Sequence, residues 1–187
     1  IKSLQNGTGD LNDSTYCGKA IAGGLVGKGY ININGTNNLR SSIVLASPTS
    51  KLTIDATQSK LTKTTIKTDD RDRKTYINDK EHACAALIYG SIGSNHVDMS
   101  YINVYSNNTI VKTVREIGSL AKGDLHSGGF VSYAENCNFS NINMYLNDSS
   151  ILAESLSYEA RNRVEDTNSA YCGGFAGQLT ANSTLTN

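Results

Sequence analysis

Short apolar stretches punctuate the chain, and four of them share one pattern. Ile21-Ala-Gly-Gly-Leu-Val-Gly27, His82-Ala-Cys-Ala-Ala-Leu-Ile-Tyr-Gly90, Ser127-Gly-Gly-Phe-Val-Ser-Tyr133 and Tyr171-Cys-Gly-Gly-Phe-Ala-Gly177 each set a pair of small residues before an apolar side chain. An alternating segment follows in the first three copies: Tyr30-Ile-Asn-Ile-Asn34, Val97-Asp-Met-Ser-Tyr-Ile-Asn-Val-Tyr105 and Cys137-Asn-Phe-Ser-Asn-Ile-Asn-Met-Tyr145. Apolar residues at every second position mark a half-buried strand. A further short strand follows in each copy, at Ser42–Ala46, Thr109–Lys112 and Ser150–Ala153, the last two after the polar turns Ser106–Asn108 and Asn147–Ser149. Each repeat is therefore expected to hold at least three strands.

Aligned on the pairs Gly23/Gly24, Ala85/Ala86, Gly128/Gly129 and Gly173/Gly174, the repeats are spaced by 62, 43 and 45 residues. The long first interval points to an irregular, insertion-bearing section over 51–81. Lys51–Ile54 and Leu61–Ile66 still alternate as strands there, while Thr68-Asp-Asp-Arg-Asp-Arg-Lys74 reads as an exposed loop of mixed charge. A unit that exposes an apolar edge cannot build a core alone, but stacked units bury a continuous apolar column. The expected fold is all-β, a parallel β-solenoid of stacked coils with repeats of about 43–45 residues. The whole of 1–187 forms one segment, expected to be a piece of a longer chain. Each interval would supply about two coils, with Leu25, Leu87, Phe130 and Phe175 in one interior row. The small pairs would serve close backbone approach between coils, since Ala85-Ala86 tolerates tight packing but not positive φ. A propeller or an antiparallel sandwich are the rival repeat architectures. The propeller suffers from the irregular first interval and the absence of a Trp-Asp signature.

Composition strengthens the strand reading. Asn, Ser and Thr are abundant, with one Pro and no Trp; these polar residues compete for backbone hydrogen bonds and favour turns and strands over helices. Seventeen basic residues balance seventeen acidic ones, so no global field draws the chain to nucleic acid or an anionic membrane. No apolar run reaches the eighteen or so residues that span a bilayer. Asn-x-Ser/Thr sequons at Asn6, Asn12, Asn34, Asn107, Asn138, Asn147 and Asn182 would carry glycans in a eukaryotic secretory product. Of the four cysteines, Cys84 and Cys172 read as sharing one repeat position, a small packed site two repeats apart and beyond disulfide reach.

The motif resembles the GLUG-type repeat, a Gly-Gly-Leu-Val-Gly core followed by an Ile-x-Asn-Cys-like strand, found in large surface proteins and adhesins. Gly23-Gly-Leu-Val-Gly27 matches it closely; Gly128-Gly-Phe-Val-Ser132 with Glu135-Asn-Cys137, and Gly173-Gly-Phe-Ala-Gly177, match with two changes each in the Gly-Gly core. Ala85-Ala-Leu-Ile-Tyr89 departs at both glycines. The resemblance implies a parallel β-solenoid in a secreted or surface-exposed protein, and it carries over no catalytic residue.

Candidate chemistry is sparse. Polysaccharide-cleaving β-helices need grouped carboxylates with a base or an Arg, and the chain offers only Asp69, Asp70, Asp72 with Arg71 and Arg73, and Asp124 with His126. His82 and His126 occupy similar places ahead of the small pair, offset by one residue, and stacked histidines that bind a metal are the second reading. The first is that these two and His96 are corner side chains, because no carboxylate or Cys recurs beside them with ligand spacing. No cofactor, metal or catalytic residue is predicted. Tyr101, Tyr105, Tyr133 and Tyr145 recur in the motif strands and read as a stacked aromatic ladder, with a sugar-binding face as the second reading. The expected function is a structural or adhesive extracellular module that stacks end to end or laterally on the same or neighbouring chains. The alternative is a carbohydrate-active or glycan-binding β-helix whose partners are surface glycans.

Overall fold

In the computed structural model the described residues are 1–5, 20–45, 49–58, 82–93, 96–115, 124–155, 169–180 and 182–187. All regular structure among them is strand. After β1 (Lys2–Gln5), the chain runs through β2 (Ala20–Gly23), β3 (Val26–Lys28), β4 (Ser41–Leu45) and β5 (Leu52–Gln58). It then passes through β6 (Ala83–Ala86), β7 (Tyr89–Ile92), β8 (Val97–Asn107) and β9 (Thr109–Arg115), and next through β10 (Leu125–Gly128), β11 (Val131–Glu135), β12 (Cys137–Asn147) and β13 (Ser150–Ser155). Last come β14 (Ala170–Gly173), β15 (Ala176–Thr180) and β16 (Thr184–Thr186).

These strands form four four-stranded parallel sheets, ordered β14-β10-β6-β2, β15-β11-β7-β3, β16-β12-β8-β4 and β1-β5-β9-β13. The chain visits the sheets in the same sequence each time, so one circuit adds one strand to each. A repeat interval thus holds one circuit of four strands rather than two coils. Connections such as Gly24-Leu25 between β2 and β3 are too short to bring the chain back into the same sheet, and so turn it into the next.

Pairing corrects the alignment of the second copy by one residue. Gly23 pairs with Ala86, and Ala86 with Gly128, which pairs with Gly173; Gly24, Leu87, Gly129 and Gly174 follow. Ala85 lies instead in the row of Ala22, Ser127 and Cys172, while Cys84 lies beside Ile21 and His126, so the two cysteines do not share a position. In this register Gly90 falls level with Gly27, Ser132 and Gly177. A Cβ on Gly90 would meet the Gly27 carbonyl oxygen at 2.5 Å. The alternative alignment would force the Tyr89 side chain into that gap.

The correct interior row is therefore Leu25, Ile88, Phe130 and Phe175. Phe130 stacks on Phe175 at 5.2 Å and 10°, and Phe139 meets both rings edge-on. Leu25, at the end of the row, stays 43% exposed, whereas Leu87 is buried one row away. Around this aromatic centre pack Ile54, Val111, Met99, Ile102, Val104 and Leu125.

The Gly-Gly corners have a distinct hydrogen-bond pattern. The N–H groups of Leu25 and Val26 both donate to the Ile88 carbonyl, and those of Phe130 and Val131 both donate to the Phe175 carbonyl. At Ala86-Leu87 the shared acceptor disappears, and Tyr89 N–H alone bonds Phe130. A Cβ on Gly129 would collide with the Gly174 carbonyl, so glycine here permits close approach between circuits. None of the paired glycines has positive φ.

The other bends use Asn and its neighbours in the left-handed region. Tyr101 and Asn141 stand at the same level in β8 and β12 with φ of 55° and 53°, as do Asn108 and Asp148 (48° and 46°) and Asn136 and Asn182 (57° and 63°). Asn and Asp adopt this conformation with less strain than most residues. Tyr101 is the exception, and Arg40 braces its bend: Nε donates to Asn103 Oδ1 at 2.8 Å, Nη2 donates to the Ile102 and Asn141 carbonyls, and the guanidinium lies over the Tyr101 ring.

The strand expected at Tyr30–Asn34 does not form. Asn34 instead uses its side chain as a strand would use its backbone, accepting from Ser100 N–H at 2.9 Å and donating to the Asp98 carbonyl at 3.3 Å. Expected strands at Ser42–Ala46, Lys51–Ile54 and in β8, β9, β12 and β13 are present with shifted ends. Leu61–Ile66 and the charged loop Thr68–Lys74 lie outside the described residues, as does 59–81 of the section read as irregular.

Two measurements probe this core. Urea denaturation of Phe130→Ala should show a loss of about 3–5 kcal/mol, against a change within about 0.5 kcal/mol for the exposed Leu39→Ala. Burial pushes the Tyr89 hydroxyl up to about 12, and its O–H donates to the Ile31 carbonyl at 2.7 Å. The folded state thus resists ionisation that the unfolded chain undergoes near pH 10. Stability is full below pH 10 and falls towards pH 12, by at most about 1.4 kcal/mol per unit. Tyr89→Phe should remove that part of the alkaline loss in pH-dependent thermal melts.

Candidate functional site

Two features of the outer surface rise above generic packing. The first is a set of side-chain ladders on β4, β8 and β12. In-register pairing brings Asn143 onto Asn103, Tyr145 onto Tyr105 and Asn147 onto Asn107. Asn143 Nδ2 donates to Asn103 Oδ1 at 3.0 Å, and Asn147 Nδ2 to Asn107 Oδ1 at 3.2 Å. At the next corner Asn138 Nδ2 donates to Asp98 Oδ1, and Thr184 Oγ1 donates to Asn138 Oδ1. An amide carries both a donor and an acceptor, so it can repeat along a stack without a charge. Between the Asn rows the Tyr105 and Tyr145 rings stack at 4.8 Å and 7°, both exposed.

These ladders hold several of the sequon residues. Asn34, Asn107, Asn138 and Asn147 all use their amides in bonds between circuits. Asn182 is exposed at a left-handed bend, and Asn6 and Asn12 lie outside the described residues. The expected tyrosine ladder is confined to Tyr105 and Tyr145. Tyr101 sits under Arg40, and Tyr133 stacks on His82 at 5.6 Å.

The second feature stands where β6 and β10 begin. Pairing of Ala83 with Leu125 puts His82 level with Asp124 and His126 level with Cys84. His126 Nε2 lies 3.3 Å from His82 Nδ1, and Asp124 Oδ2 lies 4.0 Å from that same nitrogen. One ligand atom from each of the three residues falls within 4.8 Å of the others. His126 is wholly buried, stacked on Tyr171 at 5.1 Å and 2° and flanked by Tyr133. Burial drives its pKa down to about 4; the His82 charge adds to this and Asp124 opposes it. The ring is therefore neutral near pH 7. Its Nδ1 is buried with no hydrogen-bond partner. His82 Nδ1 accepts the Asp124 backbone N–H at 3.1 Å, and Asp124 Oδ1 accepts the Ser169 N–H from the next circuit at 2.8 Å.

Nothing among protein families, curated proteins or solved structures matches the chain. The site must be read from its own geometry.

The sequence set Asp124 beside His126 and, separately, placed His82 at a repeat position similar to that of His126, but it did not join the three. His82 joins them from 42 and 44 residues away, so no local ligand spacing marks it. His96 pairs with Asp98 at 3.2 Å on the exposed surface, apart from this cluster. The Asp69–Lys74 group lies outside the described residues. Among the described cysteines, Cys137 and Cys172 are free thiols, and burial raises the Cys137 thiol to about 11, which makes it a poor nucleophile at neutral pH.

The ladder makes a quantitative claim. A double-mutant cycle with Asn103→Ala and Asn143→Ala should give a coupling of about 0.5–1.5 kcal/mol in chemical denaturation. A coupling of zero would mean that the amides bond water instead.

Proposed function

We propose that the chain is a segment of a parallel β-solenoid belonging to an extracellular surface protein, with a structural or adhesive role rather than a catalytic one. The observation that carries this reading is the fixed itinerary of the chain through four parallel sheets, one strand per circuit. Such stacking makes length a matter of adding circuits, and the outer face it generates is a repeating polar lattice of Asn, Ser and Thr. The likeness of the Gly-Gly-Leu-Val-Gly core to GLUG-type repeats agrees with this assignment, as do sequons on outer corners. Partners on this reading are the open strand edges of further segments, from the same or a neighbouring chain, which offer unpaired backbone groups for continued pairing.

A second reading, a glycan-binding face, draws on one feature. Tyr105 and Tyr145 form a flat exposed aromatic pair flanked by Asn amides, and an aromatic body beside polar hydrogen-bonding groups suits a sugar ring.

Antibody labelling of intact, unpermeabilised source cells should stain the surface, and staining only after permeabilisation would overturn the extracellular assignment. A glycan array run in parallel separates the two roles. Binding that disappears in Tyr145→Ala favours the glycan-binding reading, and a blank array with surface staining favours the structural one.

A further inference from the structure

The part-buried His82–His126 contact leaves its nitrogens poorly matched. His82 Nδ1 already accepts the Asp124 N–H, so it is the unprotonated nitrogen of that ring. His126 Nε2 approaches the same lone pair at 3.3 Å. If Nε2 carries the proton, two donors crowd one acceptor and the buried Nδ1 is left bare; if Nδ1 carries it, two lone pairs face each other. A buried arrangement of this kind calls for a missing component, water or an ion.

The spacing is that of metal ligands. Around a tetrahedral zinc with bonds of about 2.0–2.1 Å, neighbouring nitrogens stand about 3.3 Å apart. That is the His82–His126 separation; the Asp124 carboxylate, 4.0 Å from His82 Nδ1 and within 4.8 Å of the His126 ligand atom, must move inward to match. Two imidazoles and one carboxylate are a donor set for a borderline divalent cation, Zn²⁺, Co²⁺, Ni²⁺ or Cu²⁺, rather than for Ca²⁺ or Mg²⁺. His126 is sealed in, while the side chains of His82 and Asp124 keep about a quarter of their surface exposed, at 23% and 24%. That opening leaves a coordination position for water or an outside ligand.

We propose that His82, Asp124 and His126 form a divalent transition-metal site that clamps two successive circuits, with His82 from one and Asp124 and His126 from the next. In the bound form His126 holds its proton on Nδ1 and gives the Nε2 lone pair to the ion, and His82 gives Nδ1. His126 Nδ1 gains no partner thereby; the ion takes the His82 Nδ1 lone pair for which His126 Nε2 and the Asp124 N–H otherwise compete, and the Asp124 N–H gives up that acceptor. The site does not depend on whether the parent protein is structural or glycan-binding.

The test is titration of the chelator-treated full chain with Zn²⁺ and with Co²⁺ as a visible probe. One ion per chain is expected, with the intense visible absorption of low-coordinate Co²⁺ and a higher Tm with Zn²⁺. His82→Gln and Asp124→Asn should each weaken binding by about tenfold or more, and His96→Gln, which alters the exposed His96–Asp98 pair, should leave it unchanged. A readout that needs no variant is NMR of the histidine rings: zinc should shift the His82 and His126 resonances and spare His96. Failure to bind Zn²⁺ or Co²⁺ more tightly than about 0.1 mM, roughly −5.5 kcal/mol, would overturn the proposal. Binding that follows His96 instead would also overturn it.

Discussion

Every strand pairs in parallel register with the equivalent strand one circuit away, and this pairing dictates which residues the chain can use. Parallel neighbours stand about 4.8 Å apart, so each side chain sits directly over its counterpart in the next circuit. A position is acceptable only if its residue tolerates the residue stacked on it. Phenylalanine does so inside, where Phe130 lies on Phe175. Asparagine does so outside, because one amide donates to the next. Like charges would repel at this distance, and the paired rows avoid them: Lys2, Asp55 and Lys112 alternate in sign along one row, with Lys112 Nζ 3.2 Å from Asp55 Oδ2. Asp98 meets Asn138, Glu135 meets Thr180, and Arg115 meets Gln58 and Ser155.

The same constraint explains what could be read from the sequence. Strand character was legible because period-two alternation is local: Val97 to Tyr105 and Cys137 to Tyr145 carry it plainly and become β8 and β12. The polar turns at Asn108 and Asp148 were legible too, although their left-handed φ was not. Register between repeats was harder. Ala85-Ala86 imitates Gly23-Gly24, whereas the pairing puts Ala86-Leu87 at those levels and Gly90 level with Gly27. Tyr30 to Asn34 misled for a different reason: the alternation is real, but the Asn34 amide bonds to Asp98 and Ser100 in place of a backbone ladder. The His82, Asp124 and His126 cluster was illegible as a unit, since its members meet only after the chain has completed a circuit.

Length variation is concentrated where the chain can absorb it. Measured between equivalent paired residues, the successive repeats of the Gly23 level are 63, 42 and 45 residues long. From Leu52 to Ala83 the first circuit uses 31 residues, whereas the second uses 16 from Thr109 to Leu125, so most of the difference falls at one junction. The segments 6–19, 59–81, 116–123 and 156–168 all connect the β1-β5-β9-β13 sheet to the β14-β10-β6-β2 sheet. Elsewhere the circuits differ less, spanning 31, 25 and 23 residues from the Gly23 level to the Ile54 level. His82 and Asp124 are the last residues of this junction in successive circuits, each one residue before its strand begins. A cluster placed there shares the rigid register of β6 and β10 on one side and borders the freely varying connections on the other. Fixed register beside connections of variable length is where a stacked parallel fold can acquire chemistry without disturbing its core.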